Sequence, residues 1–307
     1  MPWFPWTSRH RPLSEELDID ASLVRRLLAA QFPQWADLGI APVASAGTDN
    51  AIFRLGADMA VRLPRLQRAA GQVEKEQRWL PRLAPLPLAI PEPLGEGEPA
   101  EGYPWPWSVY RWLEGENATL ERLADPHAAA ETLAAFVTAL QRLDATGGPL
   151  AGRHNEFRGV PLVQRDPLTR AAIASLKDLI DAEAVTAAWE SALRTPPWQG
   201  PPVWLHGDLQ SGNLLAQEGR ITAAIDFGLL GVGDPACDLT VAWSLLTADS
   251  RQTFRAAMAA DDATWARGRG WALSIALIAL AHYLERNPAL AAMSRRTIGE
   301  VEDDLGA

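Results

Sequence analysis

Strand-like patterns gathered in the first third of the chain, with helical patterns through the remainder, predict an α+β protein. A small antiparallel β lobe carrying helices should precede a larger, mainly helical lobe. Three observations carry this reading. The segments 51–55, 59–63 and 107–113 are short, apolar or alternating, and rich in β-formers. From residue 127 onward apolar residues recur at helical spacing. At 307 residues the chain exceeds a typical single domain, so two lobes are expected, at 1–113 and 114–307.

The elements of the first lobe follow in order. Residues 20–32 place Leu23, Val24, Leu27, Leu28 and Phe32 on one stripe, an amphipathic helix. Short strands are expected at 42–45, 51–55 and 59–63, with the small polar run Ala46-Gly-Thr-Asp-Asn50 turning between the first two. Arg62 lies near the end of the third strand, either as an exposed edge charge or as a cation held for use. A helix over 72–80 extends to residue 83 through a kink or break at Pro81. On it Glu76 shares a face with Val73, Leu80 and Leu83, whereas Glu74 points with Gln77 and Arg78. An acid on an apolar stripe is costly unless paired, which selects Glu76 over Glu74 as the partner of Arg62. Prolines 85, 87, 91 and 93 mark extended connections. Residues 107–113 read as a strand, and Glu114-Gly-Glu-Asn117 turns from it into the second lobe.

In the second lobe helices are expected at 127–143, 167–181, 183–194, 235–247, 251–259, 263–286 and 288–304. The Gly-, Pro- and Arg-rich stretch 147–166 reads as a loop or substrate-side insertion. Asp234 before Pro235 is a helix start signal for the 235–247 helix. The 13 tryptophans are too scattered for a binding cage and read as core packing.

The chemistry concentrates at Val203-Trp-Leu-His-Gly-Asp-Leu-Gln-Ser-Gly-Asn-Leu-Leu-Ala and Ile221-Thr-Ala-Ala-Ile-Asp-Phe-Gly. The runs 203–205, 214–216 and 221–225 are short apolar strands, and they carry Asp208, Asn213 and Asp226 at their ends. An acid, an amide and a second acid on adjacent hairpin strands suit phosphoryl transfer. One carboxylate orients a hydroxyl and accepts its proton; the amide oxygen and the other carboxylate hold Mg²⁺ against nucleotide phosphates. Mg²⁺ keeps several waters and takes only one or two carboxylates, so such a site needs no His or Cys. Asp and Asn are also common turn formers, and that reading applies to Asp208 and Asn213 taken singly.

The run His206-Gly-Asp-Leu-Gln-Ser-Gly-Asn213, joined to Asp226-Phe-Gly228, resembles the catalytic loop and magnesium motif of the aminoglycoside phosphotransferase and choline kinase-like small-molecule kinases. These are relatives of the protein kinases in which His-Gly-Asp replaces His-Arg-Asp. The resemblance implies a protein-kinase-like two-lobed fold, with nucleotide bound by residues 1–113 and catalysis and acceptor binding in 114–307. Asp208 would be the catalytic base, Asn213 and Asp226 the Mg²⁺ ligands, His206 a buried brace, and Asp238 a brace of the loop; a solvated first-turn acid fits Asp238 nearly as well.

In the first lobe the resemblance makes Gly47, Thr48, Asp49 and Asn50 a turn over nucleotide phosphates, although only one glycine of a glycine-rich loop remains. Arg62, where such kinases carry Lys, would contact phosphate, with Glu76 holding it. Residues 109–113, including Val109 and Arg111, would be the hinge that receives the base. The implied activity is transfer of the γ-phosphate of ATP or GTP to a hydroxyl, an aminoglycoside being the best-known acceptor class. Choline, a macrolide, a sugar or a metabolite alcohol are the alternatives. A non-catalytic pseudokinase is a further reading, opposed by the intact Asp208, Asn213 and Asp226 and kept open by Arg62. A protein kinase fits poorly, because Asp234 follows Asp226 too soon for an activation segment.

Composition narrows the partners. Hydrophobic residues at 48% and charged residues at 21% exclude wholesale disorder. A net charge of −10 argues against nucleic acid or an anionic membrane as partner and is compatible with a cationic acceptor. A single cysteine, Cys237, makes no internal disulfide and no zinc cluster, so a reduced compartment is expected. The start, Met1-Pro-Trp-Phe-Pro-Trp-Thr, lacks a signal-peptide pattern, and the apolar run 271–280 is too short to span a bilayer. A soluble, cytoplasmic protein is the expectation; oligomeric state has no signal in the sequence.

Overall fold

The computed structural model describes residues 17, 19–44 and 49–306. These form two compact units, and the division falls inside one helix. Unit 1 takes in the described residues up to Gln77 together with Pro93–Trp112; unit 2 takes in Arg78–Glu92 and everything from Leu113 onward.

Unit 1 is a five-stranded antiparallel sheet with helices. Its strands are β1 (Ile40–Pro42), β2 (Asn50–Leu55), β3 (Met59–Pro64), β4 (Pro93–Gly97) and β5 (Trp107–Arg111), in the order β1-β2-β3-β5-β4. Helix α1 (Ala21–Gln31) starts where Asp20 accepts a hydrogen bond from Leu23 N at 2.7 Å. Its Leu23, Val24, Leu27 and Leu28 join Phe53, Leu55, Val61, Leu63, Trp107 and Val109 in one core. The first strand lies upstream of its expected place, and β5 ends at Arg111 rather than 113.

Strand β4 was not expected, because Pro93-Leu-Gly-Glu-Gly97 reads as a loop. Packing explains the glycines. A Cβ on Gly97 would sit 2.0 Å from the Trp107 indole, and one on Gly95 2.8 Å from the Phe32 ring. Helix α2 (Gln67–Leu83) begins earlier than its apolar stripe suggests and continues through Pro81. That proline lies in the last turn, where its missing N–H removes a single helical bond.

In unit 2, α3 (Pro126–Arg142) is capped by Asp125. The helices α4 (Asp166–Leu176) and α5 (Ala182–Arg194) follow; α4 stops short of 181 because Asp181 caps α5. Strand β7 (Val203–Leu205) pairs with an unexpected β10 (Gly231–Gly233). A second sheet joins β6 (Glu116–Asn117), expected as a turn, to β8 (Leu214–Gln217) and β9 (Arg220–Ala224). In place of one helix over 235–247 there is a 3-10 turn, Pro235–Thr240, and a short α6 (Val241–Ser244). Then come α7 (Ala248–Met258), α8 (Asp262–Tyr283) and α9 (Pro288–Gly306). Helix α8 packs on α4, α5 and α9, and its buried Trp265, Trp271, Leu277 and Leu280 form much of this core. Tryptophans 107, 189, 204, 243 and 271 are among the largest fully buried side chains. No helix among the described residues is long and apolar enough to cross a membrane.

The stretch 147–166 is more ordered than a plain loop. Leu150 bridges to Val232, and short 3-10 turns lie at Arg153–Asn155 and Leu162–Arg165. Buried Asn155 accepts from Gly152 N at 2.9 Å and donates to Arg158 O at 3.0 Å.

Candidate active site

The His206–Asn213 loop leaves β7 and turns sharply. Gly207 has φ +83°, and a Cβ there would lie 2.5 Å from Leu229 O, so the turn requires glycine. Fully buried Asp238 accepts from His206 N at 2.7 Å and Gly207 N at 2.8 Å. It is a brace, not a solvated acid. Burial raises its carboxyl above the usual aspartate range, opposed by the neighbouring His206 and by the two backbone donors. The His206 ring lies 3.0 Å through Nε2 from Ile225 O, and its Nδ1 lies 3.2 Å from Asp208 N. These two contacts tie the loop to the end of β9.

Asp208 is held through one oxygen. Its Oδ2 accepts from Gln210 Nε2 at 3.0 Å and Asn213 Nδ2 at 2.9 Å, and the same amide reaches Asp208 O at 2.8 Å. Its Oδ1 faces Arg158 Nη2 at 4.0 Å. Because the Asn213 nitrogen is committed to Asp208, its amide oxygen is turned elsewhere. Ile225 N donates to Asn213 O at 2.8 Å, which fastens the start of β8 beside the residue preceding Asp226. Asp226 itself is left-handed, at φ +61° and ψ +69°, a conformation Asp tolerates at a cost of about 1–3 kcal/mol. Asn213 and Asp226 offer oxygen donors only, the set a hard divalent cation takes, so these residues fit Mg²⁺. Among the described residues no group of three or more His, Cys, Asp or Glu forms a metal cluster, and the Asn–Asp pair needs none.

Below the loop, Asp234 caps the 3-10 turn through Ala236 N at 3.0 Å and forms a buried pair with Arg267 Nε at 2.8 Å. Cys237 is a buried core thiol, pushed up by burial first and the adjacent acids next, which makes it an inert one.

Unit 1 carries the expected ion pair. Arg62 Nη1 donates to both oxygens of Glu76 at 2.7 Å, and Nη2 donates to Gln72 Oε1 at 3.3 Å. With its amide oxygen turned toward Arg62, Asn50 accepts from Nη2 at 2.8 Å and Nε at 3.2 Å. Glu76 is 1% exposed and also accepts from the Tyr110 hydroxyl, whereas Glu74 is exposed. Burial, and then Glu76, push that hydroxyl up.

Of the other expected nucleotide residues, Gly47 and Thr48 lie outside the described residues. Asp49 pairs with Arg68 at 2.7 Å and accepts from Arg65 N through its carbonyl. Val109 is a core residue that pairs with Val61 on one side and Gly95 on the other. Arg111, at the exposed end of β5, pairs with Met59, and the next amide, Trp112 N, donates to Asp58 O at 2.7 Å. Sequence reasoning missed Gln210 and Arg158. The first sat unremarked within the motif; the second lies in the stretch read as a loop, fifty positions upstream of Asp208.

An antiparallel sheet with a strand-to-helix ion pair in one unit, and an acid–amide–acid loop system in the other, define a kinase-like protein. The chain belongs to the phosphotransferase enzyme family, whose model matches residues 40–271. It is similar to an aminoglycoside 3'-phosphotransferase of Salmonella typhimurium, at 27% identity over 38% of this chain and 42% of that one. It is also similar to one of Escherichia coli, at 25% identity over 55% of this chain and 60% of that one. The matches thus span about half the length of these curated relatives. Among solved structures, the GDP and kanamycin complex of APH(2")-IIia superposes with a TM-score of 0.73 at 20% identity, over 92% of this chain and 98% of that one. The apoenzyme of macrolide 2'-phosphotransferase MphH from Brachybacterium faecium gives 0.60 at 22% identity, over 91% and 97%. At these identities the structural likeness establishes the fold.

Proposed function

We propose that this chain is a small-molecule kinase that transfers the γ-phosphate of ATP or GTP to an acceptor hydroxyl, with an aminoglycoside the favoured acceptor. The observation that carries the reading is Asp208, fixed through Oδ2 while Oδ1 faces no hydrogen-bond donor within reach among the described residues, on a loop braced by His206 and Asp238. Asp208 orients the hydroxyl and takes its proton. Asn213 and Asp226 would hold Mg²⁺, which when bound neutralises phosphate charge. Arg62, aligned by Glu76, Gln72 and Asn50, contacts phosphate, and Asp49 and Asn50 border the turn expected to cover it. In this reading residues 1–113 serve the nucleotide and 114–307 the acceptor and the chemistry. GDP in the APH(2")-IIia complex supports a guanine donor, and ATP in the streptomycin complex of APH(2")-IIa an adenine one. The net charge of −10 suits the cationic kanamycin bound there, and a cytoplasmic location suits an enzyme that draws on nucleoside triphosphate.

A macrolide acceptor is the second reading. It is favoured by Leu150, Phe157 and Val163, which are 70%, 39% and 67% exposed on the stretch that flanks Asp208. A coupled assay of nucleoside diphosphate release, with kanamycin and a macrolide as acceptors and Mg²⁺-ATP and Mg²⁺-GTP as donors, tests both. Acceptor-stimulated release that Asp208→Asn abolishes is expected. Release that is insensitive to Asp208→Asn, or stimulated by no hydroxylated acceptor, counts against the kinase reading.

A further inference from the structure

Arg158 is 7% exposed, yet its Nε and Nη1 are buried without a hydrogen-bond partner among the described residues. Other buried arginines of unit 2 spend their nitrogens on the fold. Arg251 donates to Ala242 O at 3.0 Å and Glu300 O at 3.2 Å, and Arg267 donates to Asp234 and to Pro196 O. Arg158 instead has Asp208 Oδ1 at 4.0 Å, too long for a hydrogen bond.

The backbone that delivers it is strained. Glu156 and Phe157 are consecutive non-glycine residues at φ +53° and +58°, and Gly159 follows at φ +88°. Non-glycine residues in this region cost about 1–3 kcal/mol each and persist only where the surroundings hold them. Here Gly159 O accepts from Asp234 N at 2.9 Å, and a Cβ on Gly159 would meet Leu205 at 2.4 Å, so the turn is clamped over β7. Strain and an unspent buried charge thus converge on the open oxygen of Asp208.

We propose that Arg158 is a further catalytic residue, whose Nη2 donates a hydrogen bond to the acceptor oxygen as it attacks; this rests on the kinase reading above. Oδ2 of Asp208 already accepts from Gln210 and Asn213, so the acceptor hydroxyl meets Oδ1. An oxygen hydrogen-bonded to Oδ1 at about 2.7 Å falls within reach of Nη2 across the 4.0 Å gap. The acceptor O–H gives its proton to Asp208 Oδ1 and its oxygen bonds to the γ-phosphorus. The bond from that phosphorus to the β,γ-bridging oxygen breaks, and its electron pair leaves on the nucleoside diphosphate. Arg158 meets the negative charge that gathers on the attacking oxygen and transferred phosphoryl group. Asp208 later releases its proton to water.

The test is Arg158→Met and Arg158→Gln, assayed for Mg²⁺-ATP turnover with kanamycin and with water alone as acceptor, beside nucleotide affinity and thermal stability. Buried polar nitrogens without partners carry an uncompensated desolvation cost, so an apolar side chain of similar length is compatible with folding. The expected result is a folded Arg158→Met protein with kcat down about 10²–10³-fold, the scale for loss of one preorganised donor, and nucleotide affinity within about twofold of wild type. A folded variant with kcat within threefold of wild type overturns the proposal. Failure of both variants to fold also overturns it, by assigning Arg158 to the architecture. Wild-type turnover that Asp208→Asn leaves unchanged would overturn the kinase reading itself, an outcome distinct from either.

Discussion

Two arginines, Arg62 in unit 1 and Arg158 in unit 2, are each largely withdrawn from water and each set beside a carboxylate, and they are treated in opposite ways. Arg62 is saturated: Glu76, Gln72 and Asn50 take its nitrogens, and Tyr110 in turn steadies Glu76. Arg158 is delivered by a strained turn and stops 4.0 Å from Asp208 with two nitrogens unspent. A saturated cation keeps one geometry and offers a phosphate its positive charge rather than a spare N–H. An unsaturated one costs stability at rest, and its charge is left for negative charge that develops beside Nη2 during reaction.

The sharpest way to break the unit 2 side of this contrast is Asp208→Asn. The amide keeps the shape and the contacts to Gln210 and Asn213 but loses the proton acceptor. Turnover should fall about 10²- to 10⁴-fold with nucleotide affinity nearly intact, as read by diphosphate release and equilibrium nucleotide titration. Next in size is Asp238→Ala, which strands His206 N and Gly207 N in the interior. Buried donors left unsatisfied cost about 1–3 kcal/mol each, so the denaturant midpoint of unfolding should drop.

The unit 1 side is sharpened by a double-mutant cycle. Arg62→Ala and Glu76→Gln should be non-additive in kcat/KM by about 0.5–3 kcal/mol, the range for residues in one network, while exposed Glu74→Gln shows no coupling. Additive effects would mean that Arg62 acts without its clamp. The smallest effect is a pH slope. Burial raises the Asp238 carboxyl, so above the ordinary aspartate value of about 3.9 the folded protein binds more protons than the unfolded chain. Stability should therefore fall as pH rises through the folded value, and this part of the slope should vanish in Asp238→Asn. Urea unfolding of both proteins across mildly acidic pH measures it.

Much of the chain could be read without coordinates wherever local rules act alone. Helix α1 and its Asp20 cap, the β2 and β3 strands, the β8–β9 hairpin and the helices from α7 onward follow periodicity and capping. The choice of Glu76 over Glu74 follows the same logic, since an acid on an apolar stripe has to be paired. Strand β4 was hidden because its glycines make room for Phe32 and Trp107, rings distant in sequence. The helix expected over 235–247 gives way to a 3-10 turn, within which Asp238 serves His206 and Gly207.

The surroundings of Val109 were hidden for a related reason: alternation marks a strand but does not say which strand is flanked on both sides, and only the sheet order shows that β5 lies between β3 and β4. By itself, then, the sequence determined the fold class and the family, and it singled out Asp208, Asn213 and Asp226 as the candidate triad, because each is carried by spacing within a short window. Tertiary structure alone decided that Asp208 is held through Oδ2, that His206 ties its loop to the end of β9, and that Arg158 stands 4.0 Å from Oδ1. Those facts depend on groups brought together from distant parts of the chain, where no local pattern records the encounter.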